Sequence, residues 1–256
     1  MTATSRHKGT VLVVGAAGTL GQAICAVLAD QGASVCAADA RDCTDLVTAL
    51  GRTHQACQVD VTDEQSVEAL LSQVWAMGSC QGVVYAAGTN YTGPVATTSW
   101  PDYDRVMNVN LRGAFHLGKA VSARMRQNPR ELALVFLSSV AGLKGEYGGS
   151  VYCASKFGLI GFVESLASEI AAYGGRANAV CPGNVDSVML RELAVQVAER
   201  TGNVLDHVLA EWANAIAFGR LIEPAEVAQA CAWLVSPESS GISGQSIVVD
   251  GPPPAA

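Results

Sequence analysis

Short apolar runs alternate with amphipathic segments along nearly the whole chain. The apolar runs are rich in Val, Leu, Ile and Ala, which predicts buried strands at residues 10–14, 34–38, 55–59, 82–85, 132–137, 176–181 and 245–249. Between them, apolar residues recur at helical spacing, which predicts helices at 20–28, 45–50, 66–75, 101–127, 150–172 and 227–234. Strands that alternate with helices in this way predict a parallel sheet joined by right-handed crossovers.

Two local signals refine this pattern. Thr62 and Gln65 have the spacing of a capping box, which predicts that the following helix begins at Ser66. The amphipathic segment 185–217 breaks the alternation, and an insertion of that length after the carboxyl end of a strand is typical of a lid over a binding site. The alternative is an extra pair of helices that only packs. No linker or repeat divides the chain, so we predict one domain over residues 1–256, with its helical lid at about 185–217, before the last helix.

Composition narrows the class of protein. Half of the 256 residues are apolar, as expected for strands that are buried on both faces. The net charge is −7 and no basic run occurs, which argues against nucleic acid or a membrane surface as partner. The N-terminal segment has no apolar stretch typical of a secretory signal, so we expect a cytoplasmic protein. The eight cysteines form no Cys-x-x-Cys pair and the four histidines are scattered, so reduced thiols and no metal site are expected.

A glycine motif follows the first predicted strand and opens the first predicted helix. It reads Gly15-x-x-Gly18-x-x-Gly21, and glycines at such a turn let the backbone approach a pyrophosphate at the helix N-terminus. We therefore predict cofactor contacts from Gly15, Gly18, Thr19, Leu20 and Gly21, in a doubly wound Rossmann-type α/β fold of about seven strands with helices on both faces. The alternative is a tight strand-to-helix turn that binds no ligand.

An acidic residue closes the second strand. Asp39 lies eighteen residues after Gly21, near the separation expected for a carboxylate that binds the adenosine ribose diol. A carboxylate there repels a ribose phosphate, so the cofactor is predicted to be NAD rather than NADP. Arg41, two residues beyond Asp39, is an opposing signal.

A serine, a tyrosine and a lysine lie around the predicted strand 132–137 and helix 150–172. Ser139 follows the strand, and Tyr152 and Lys156 are four residues apart, so they share one face of the helix. A phenol beside an ammonium group, facing a hydroxyl at a strand end, can transfer protons. We expect Lys156 and a positively charged nicotinamide to lower the pKa of Tyr152, which makes Tyr152 the predicted general acid and base.

In this order, the motifs resemble those of the short-chain dehydrogenase/reductase family, in its compact single-domain branch. The resemblance runs from Thr10 to Gly251 and depends on the glycine turn, Asp60-Val61, Ala86-Ala87-Gly88, Asn110, Ser139, Tyr152 with Lys156, Pro182-Gly183 and the terminal Val-Val-Asp-Gly. Two positions depart from the family pattern. The second glycine of the turn is Gly18, at the fourth position, whereas the compact branch has its second glycine at the fifth position, which is Thr19 in this chain. Tyr85 occupies a position that is usually Asn.

The resemblance implies an NAD-dependent oxidoreductase that interconverts a secondary alcohol and a ketone by hydride transfer. Lys156 would also hold the nicotinamide ribose, Ser139 would hydrogen-bond the substrate oxygen, and Asn110 would hold a water that links Lys156 to solvent. Further cofactor contacts are expected from Asp60, Val61, Ala87, Gly88, Pro182, Gly183, Val185 and Ser187, besides Tyr152 and Lys156. The expected substrate contacts are Asn90, Ser139, Tyr152, Asn184 and Met189.

The substrate class stays open between alternatives. An acidic, Trp-containing second lid helix resembles polyol and acetoin-type dehydrogenases, which favours a small polyol or a vicinal diol with its hydroxyketone. The alternatives are a hydrophobic cyclic or acyl ketone, or a catalytically silent relative that only binds the cofactor. Family members commonly assemble, so a homotetramer or a homodimer is expected.

Overall fold

The computed structural model describes residue 7 and residues 9–51, 53–78 and 80–254. Within these residues, seven strands form one sheet: β1 (Thr10–Val14), β2 (Ser34–Asp39), β3 (Gln55–Gln58), β4 (Cys80–Tyr85), β5 (Leu132–Leu137), β6 (Gly175–Pro182) and β7 (Ser246–Val249). The same residues form nine α-helices: α1 (Thr19–Asp30), α2 (Thr44–Leu50), α3 (Glu64–Ala76), α4 (Trp100–Met107), α5 (Gly113–Gln127), α6 (Ser150–Ala171), α7 (Val188–Thr201), α8 (Leu205–Asn214) and α9 (Pro224–Val235).

The sheet is parallel and doubly wound. Its strand order is β3-β2-β1-β4-β5-β6-β7, and every neighbouring pair is parallel. The chain therefore starts in the middle of the sheet, adds strands toward one edge, and then crosses back to build the other half from β4. The order reverses between β1 and β4, which is where ligands bind in open α/β sheets. The predicted fold class is confirmed.

Each face of the sheet is covered by its own apolar layer. Leu12 and Val14 pack with α3, α5 and α6 on one face, whereas Val11 and Val13 pack with α1 and α9 on the other. Successive strand residues point to opposite faces. Because both faces are buried, every residue of β1 is apolar except Thr10, and the strand reads as a continuous apolar run rather than an alternating one.

The start of α3 differs from the prediction. The capping box at Thr62 and Gln65 is wrong, because the helix begins at Glu64 and its N-cap is Asp63, whose carboxylate accepts a hydrogen bond from the Gln65 amide. The Thr62 hydroxyl instead donates to Asp60 Oδ1 at 2.7 Å. Short polar side chains bond readily to nearby backbone and side-chain groups, so Thr62 and Asp63 are both able to cap a helix. In this chain Asp63 caps α3, because the Thr62 hydroxyl is bonded to Asp60.

The long helix predicted at 101–127 is interrupted. A π-helical turn at Asn108–Arg112 separates α4 from α5, and it directs the side chain of Asn110 into the protein, where it is fully buried. Such turns are rare and are frequent at functional sites. Tyr85, at the end of β4, donates a hydrogen bond from its hydroxyl to the carbonyl oxygen of Val109 at 2.5 Å. The tyrosine therefore supports the turn that carries Asn110.

The segment between β6 and α9 forms two helices with a small apolar cluster of their own. Ala194 and Ala198 of α7 are buried against Val208 of α8. Ser187 caps α7 by accepting a hydrogen bond from the Leu190 amide, and the helix ends at Gly202 in the left-handed conformation. Among the described residues, no helix has both the length and the apolar character needed to cross a membrane.

Replacing Tyr85 by Phe tests the support of the π-helical turn. The ring contact with Phe136 stays in place, but the hydrogen bond to the Val109 carbonyl is lost, so the free energy of unfolding should fall by about 1–2 kcal/mol. Urea unfolding measures this change. Tyr103→Phe is the matched control, since Tyr103 is partly exposed on α4 and should change stability by less than about 0.5 kcal/mol. Equal effects of the two substitutions would contradict the assignment.

Candidate active site

A cavity of about 690 Å³ lies at the point where the strand order reverses. The glycine turn after β1 forms one wall, and the segment Ala86–Gly88 after β4 forms another. Of the predicted cofactor residues, those that line it are Gly15, Gly18, Thr19, Leu20, Gly21, Asp39, Asp60, Val61, Ala87, Gly88 and Ser187. Residues that sequence reasoning missed also line it, namely Ala17, Gln22, Ala40, Arg41, Val59, Thr62, Ala86, Val109, Val188 and Glu192, and so does Met189, which was predicted to contact the substrate.

The three positions of the turn differ in whether the structure requires a glycine there. Gly15 has a φ of 87°, and a Cβ on it would overlap the backbone of Ala87. A Cβ on Gly21 would overlap the carbonyl oxygen of Gly15, so these two glycines allow a close approach of backbone segments. Gly18 is not crowded in this way, since a Cβ there would meet only the Gly15 oxygen at 3.5 Å.

The N-terminus of α1 suits an anionic group. Gly18 is its N-cap, and no side chain caps the helix, so the first backbone N–H groups are available to a ligand in the cavity. The helix dipole places partial positive charge at the same point. A pyrophosphate therefore fits the donor set at this turn.

Thr19 connects the glycine turn to the two-helix segment. Its hydroxyl oxygen accepts a hydrogen bond from the backbone amide of Val188, the first residue of α7, at 3.4 Å. A glycine at this position would have no side-chain oxygen for the contact. The threonine that departs from the family's glycine pattern therefore makes a contact with α7 that a glycine could not make.

Asp39 is oriented at the edge of the cavity. One carboxylate oxygen accepts a hydrogen bond from the Ala17 amide and the other accepts one from the Arg41 amide, both at 3.0 Å. The Arg41 side chain also approaches Asp39, with Nε 3.5 Å from Oδ1, but it is 68% exposed while the aspartate is 12% exposed. The carboxylate is therefore held in place by the backbone, and the arginine side chain lies mostly in solvent.

The four predicted catalytic residues are connected to one another around α6, and two of them, Lys156 and Asn110, approach Gly88. Ser139 follows β5 and shares a hydrogen bond with the phenol of Tyr152, which lies in the first turn of α6. Lys156, one turn later, donates from Nζ to the carbonyl oxygen of Leu137 at 2.8 Å and lies 5.6 Å from the centre of the Tyr152 ring. A Cβ on Gly88 would be 3.6 Å from both Lys156 Nζ and Asn110 Oδ1, so these two atoms approach the same point.

The buried amide of Asn110 bonds three segments together. Its Nδ2 donates to the Thr89 carbonyl at 2.9 Å and to Ser155 Oγ at 3.0 Å, and its Oδ1 accepts from the Thr89 amide at 2.8 Å. Both amide hydrogens are used, and one lone pair of the oxygen remains for a further donor. The water relay from Lys156 therefore stays a prediction that would have to use that lone pair or the backbone.

Burial controls the two titratable groups of α6. It raises the pKa of Tyr152 to about 12, because the phenolate loses contact with water; the hydrogen bond with Ser139 acts in the opposite direction. Burial also lowers the pKa of Lys156, from its ordinary 10.5 to about 8. The protein groups alone therefore raise the pKa of Tyr152 rather than lower it, and the lowering expected from Lys156 together with a positively charged nicotinamide stays a prediction. Tyr152 carries its proton at neutral pH.

Residues 182–185, at the end of β6 and directly after it, do not line the larger cavity. The Pro182 carbonyl accepts a hydrogen bond from Ser139 Oγ at 3.5 Å, and Gly183 contacts Asp250 so closely that a Cβ could not fit. Asn184 accepts from the Ile222 amide through its backbone oxygen at 2.8 Å. Val185 is only 6% exposed and belongs to the apolar layer with α1 and α9. The predicted cofactor contact of Val185 can therefore come only from its backbone, because its side chain is needed in the core.

A second, polar cavity of about 330 Å³ adjoins the first. Gly88, Met189 and Glu192 line both cavities. The residues lining only the smaller one are Thr89, Asn90, Tyr91, Arg105, Leu193 and Gln196. Asn90 was predicted from the sequence, whereas Arg105, Glu192 and Gln196 were missed because only the packing of α4 and α7 decides which of their faces meets the cavity. Arg105 donates to Thr89 Oγ1 at 2.6 Å and to the Asn90 carbonyl at 3.2 Å, so this wall is rigidly held.

Comparison with known proteins gives the family. The family model described as enoyl-(acyl carrier protein) reductase matches residues 15–251. With the doubly wound sheet and the Ser139, Tyr152 and Lys156 cluster, this match shows that the chain belongs to the short-chain dehydrogenase/reductase family. Members of this family are oxidoreductases that act on CH–OH groups with a nicotinamide cofactor.

Individual relatives extend over nearly the whole chain. The (3R)-3-hydroxyacyl-CoA dehydrogenase of Canis lupus familiaris is 33% identical over 96% of this chain and 96% of its own length. An uncharacterized short-chain type dehydrogenase/reductase of Sinorhizobium fredii, y4vI, is 36% identical over 96% of this chain, which spans 44% of that protein. Among solved structures, sorbitol-6-phosphate 2-dehydrogenase of Erwinia amylovora superposes with a TM-score of 0.88 at 30% identity, covering 94% of this chain and 98% of that one.

Replacing Lys156 by Met tests the burial of its charge. Between pH 8 and 10.5 the unfolded chain keeps a proton on this lysine that the folded protein releases, so wild-type stability gains from rising pH there. The stability of Lys156→Met minus that of the wild type should therefore fall between pH 7 and pH 10, as measured by urea unfolding at both values.

The matched control for this experiment is Lys119→Met. Lys119 is exposed, and its hydrogen bond to Glu64 raises its pKa above the ordinary 10.5. The difference in free energy of unfolding between Lys119→Met and the wild type should stay constant between pH 7 and pH 10. The reason is that Lys119 is charged in both the folded and the unfolded state over that range. Parallel curves for the two variants would show that the Lys156 ammonium is not desolvated.

Proposed function

We propose that the protein is an NAD(H)-dependent dehydrogenase that interconverts a secondary alcohol and a ketone. The observation that carries this proposal is the cluster of Ser139, Tyr152 and Lys156, whose lysine Nζ approaches Gly88, a residue that lines both cavities. The larger cavity, of about 690 Å³, is lined by the N-terminus of α1 and by Asp39, which suits a dinucleotide. The smaller one gives room for a substrate within reach of the same point.

The chain's own residues supply binding, orientation and proton transfer. When bound, the nicotinamide cofactor supplies or accepts the hydride. The N-terminus of α1 binds the pyrophosphate, and Lys156 holds the nicotinamide ribose. Ser139 donates a hydrogen bond to the substrate oxygen and so stabilises the charge that develops there. Tyr152 gives its phenolic proton to that oxygen during ketone reduction and removes it during alcohol oxidation.

Asp39 supports the choice of NAD over NADP. Its carboxylate is held by the Ala17 and Arg41 amides, facing the cavity where an adenosine ribose would lie. It can accept hydrogen bonds from the ribose diol, whereas a phosphate on that ribose would meet a like charge. Arg41 is exposed and can attract a phosphate, but its guanidinium lies near Asp39, which neutralises part of its charge.

The smaller cavity favours a small, hydroxylated substrate. Asn90, Arg105, Glu192 and Gln196 give its wall both donors and acceptors of hydrogen bonds. A polyol, or a vicinal diol with its hydroxyketone, matches such a wall, and the solved sorbitol-6-phosphate dehydrogenase is consistent with it. The alternative is a 3-hydroxyacyl or 3-ketoacyl thioester, which the hydroxyacyl-CoA dehydrogenase relative favours.

The segment α7–α8 is proposed to act as a lid over this substrate. It is bonded at two points, through the Val188 amide to Thr19 and through Arg200 Nη1 to Thr92 Oγ1 at 3.2 Å. Thr92 precedes Gly93, whose amide donates to the Gly148 carbonyl of the loop before α6. Closing this segment would exclude water from the site.

A homotetramer or homodimer is proposed on the basis of an exposed apolar face on α5 and α6. Phe115 is 51% exposed and Phe157 is 46% exposed. Phe115 and Phe162 also line a surface groove between the two helices. Burying such a face against a second copy would remove apolar area from water.

A panel of substrates tests the activity. Polyols, vicinal diols, hydroxyketones and 3-hydroxyacyl thioesters are offered with NAD or NADH, and absorbance of the reduced nicotinamide is followed. Net conversion with a diol or polyol is expected, and conversion with the thioesters alone would favour the alternative substrate class. No conversion with any of them, by protein that binds NADH, would contradict the dehydrogenase.

Tyr152→Phe separates chemistry from cofactor binding. NADH binding should persist, because the phenolic oxygen is the only atom removed, while turnover should fall by about 100-fold or more through loss of the proton donor. Fluorescence titration and initial rates measure the two quantities. Tyr147→Phe is the matched control, since Tyr147 lies in the loop just before α6 but is 90% exposed, and it should keep near wild-type turnover.

Asp39→Asn tests the choice of cofactor. The variant keeps an oxygen that can accept from the Ala17 amide but loses the negative charge, so the ratio of kcat/KM for NADP to that for NAD should rise about tenfold, the equivalent of about 1.4 kcal/mol. Asp42→Asn removes the same charge three residues away, where the carboxylate bonds to Thr44, and should leave the ratio unchanged. A similar rise in both variants would attribute the effect to net charge.

A further inference from the structure

Two cysteine sulfurs lie against each other near one edge of the sheet. Sγ of Cys36, in β2, is 3.4 Å from Sγ of Cys57, in β3. All eight cysteines are free thiols. Within the described residues, β3 pairs only with β2, so Cys57 lies on an edge strand.

The register decides how the two thiols meet. Cys36 pairs with Gln55 and Cys57 pairs with Ala38, so the cysteines are diagonal neighbours on the same face of the sheet. A disulfide bond is about 2.0 Å long, so the sulfurs must approach by about 1.4 Å. The strand β3 has four residues, three of them exposed, and a short edge strand can shift by this amount more easily than a central one.

The two thiols differ in access and in acidity. Cys36 is fully buried, whereas Cys57 is partly exposed and can be reached by a small reagent. The hydrogen bond that Cys57 shares with Cys36 lowers the pKa of Cys57 below its ordinary value, against the opposing effect of burial. The same contact raises the pKa of Cys36 far above its ordinary value. Cys57 is therefore the nucleophile of the pair, because the thiolate is the reactive form.

We propose that Cys36 and Cys57 form an oxidisable dithiol, which hydrogen peroxide converts to a disulfide that weakens dinucleotide binding. The Cys57 thiolate attacks one peroxide oxygen, the O–O bond breaks, and hydroxide leaves, which gives a sulfenic acid on Cys57. The Cys36 sulfur then attacks the Cys57 sulfur, the S–O bond breaks, and water leaves as Cys36 loses its proton. In total, two thiols are oxidised, one peroxide is reduced, and two waters form.

Disulfide formation can affect the larger cavity because β2 and β3 both lead to it. β2 continues into Asp39 and β3 continues into Val59, and both residues line that cavity. Two contacts hold β3 to β2 at its ends: the Val35 amide donates to His54 Nδ1 and the Val59 amide donates to the Asp39 carbonyl, both at 3.0 Å. A shift of β3 toward Cys36 therefore displaces the wall beside Asp39. This second part depends on the proposed dinucleotide binding, whereas formation of the disulfide does not.

Mass spectrometry and thiol counting test the chemical step. The full-length protein is treated with one equivalent of hydrogen peroxide, and the wild type should lose two hydrogen atoms in mass and two of its alkylatable thiols, with both reversed by a dithiol reductant. Cys57→Ser, Cys57→Ala and Cys36→Ser should lose the response. Cys43→Ser is the matched control: Cys43 is the N-cap of α2, a position that serine suits, and the response should remain.

Several outcomes would overturn the dithiol. These are oxygen addition with no paired thiol loss, a disulfide that maps to other cysteines, or an unchanged response in Cys57→Ala. Two substitutions at the partly exposed Cys57 keep the test informative if one of them folds poorly, and the melting temperature of each variant checks folding.

NADH titration of the reduced and oxidised protein tests the effect on the cavity. Binding should be about fivefold weaker or more after oxidation in the wild type and in Cys43→Ser, and unchanged in Cys57→Ser. A disulfide with unchanged NADH affinity would overturn the coupling to the cavity. A reduced protein that binds no dinucleotide would instead contradict the proposed function, and the mass measurement would still decide the dithiol.

Discussion

The buried amide of Asn110 is the interaction on which the geometry of the site depends. Its three hydrogen bonds join the loop after β4, the π-helical turn before α5 and the first turns of α6. Ser155, one of its partners, also donates to the backbone carbonyl of Tyr152 at 2.7 Å. A buried amide is costly unless it is satisfied, so these segments are held in a single arrangement. The positions of Tyr152 and Lys156 relative to Gly88 follow from that arrangement.

Two residues that depart from the family pattern support this region. Tyr85 bonds to the backbone of the π-helical turn, and Thr19 bonds to the first amide of α7. Each supplies a polar atom where the usual glycine or asparagine would contact the surroundings differently. The chain therefore has the fold of its family while using its own contacts to hold the two-helix segment and the turn.

The alternation of strands and helices was predictable because strands buried on both faces are continuous apolar runs, as β1 shows. The meeting of Ser139, Tyr152 and Lys156 was predictable because Ser139 follows a strand and the other two residues share one face of a helix. The N-cap at Asp63, the π-helical turn and the burial of Val185 were not, because each depends on which of several local contacts is satisfied in the folded chain. The raised pKa of Tyr152 and the meeting of Cys36 with Cys57 also require burial and register, which sequence spacing does not give.

The wall shared by the two cavities limits how this enzyme can change its preferences. Met189 and Glu192 of α7 line both spaces, so a substitution that adapts either residue to a new substrate also alters the cavity proposed to bind the dinucleotide. Asn90, Leu193 and Gln196 line only the smaller space. Divergence toward new substrates has fewer constraints at these three positions, whereas the shared residues must evolve under two requirements at once.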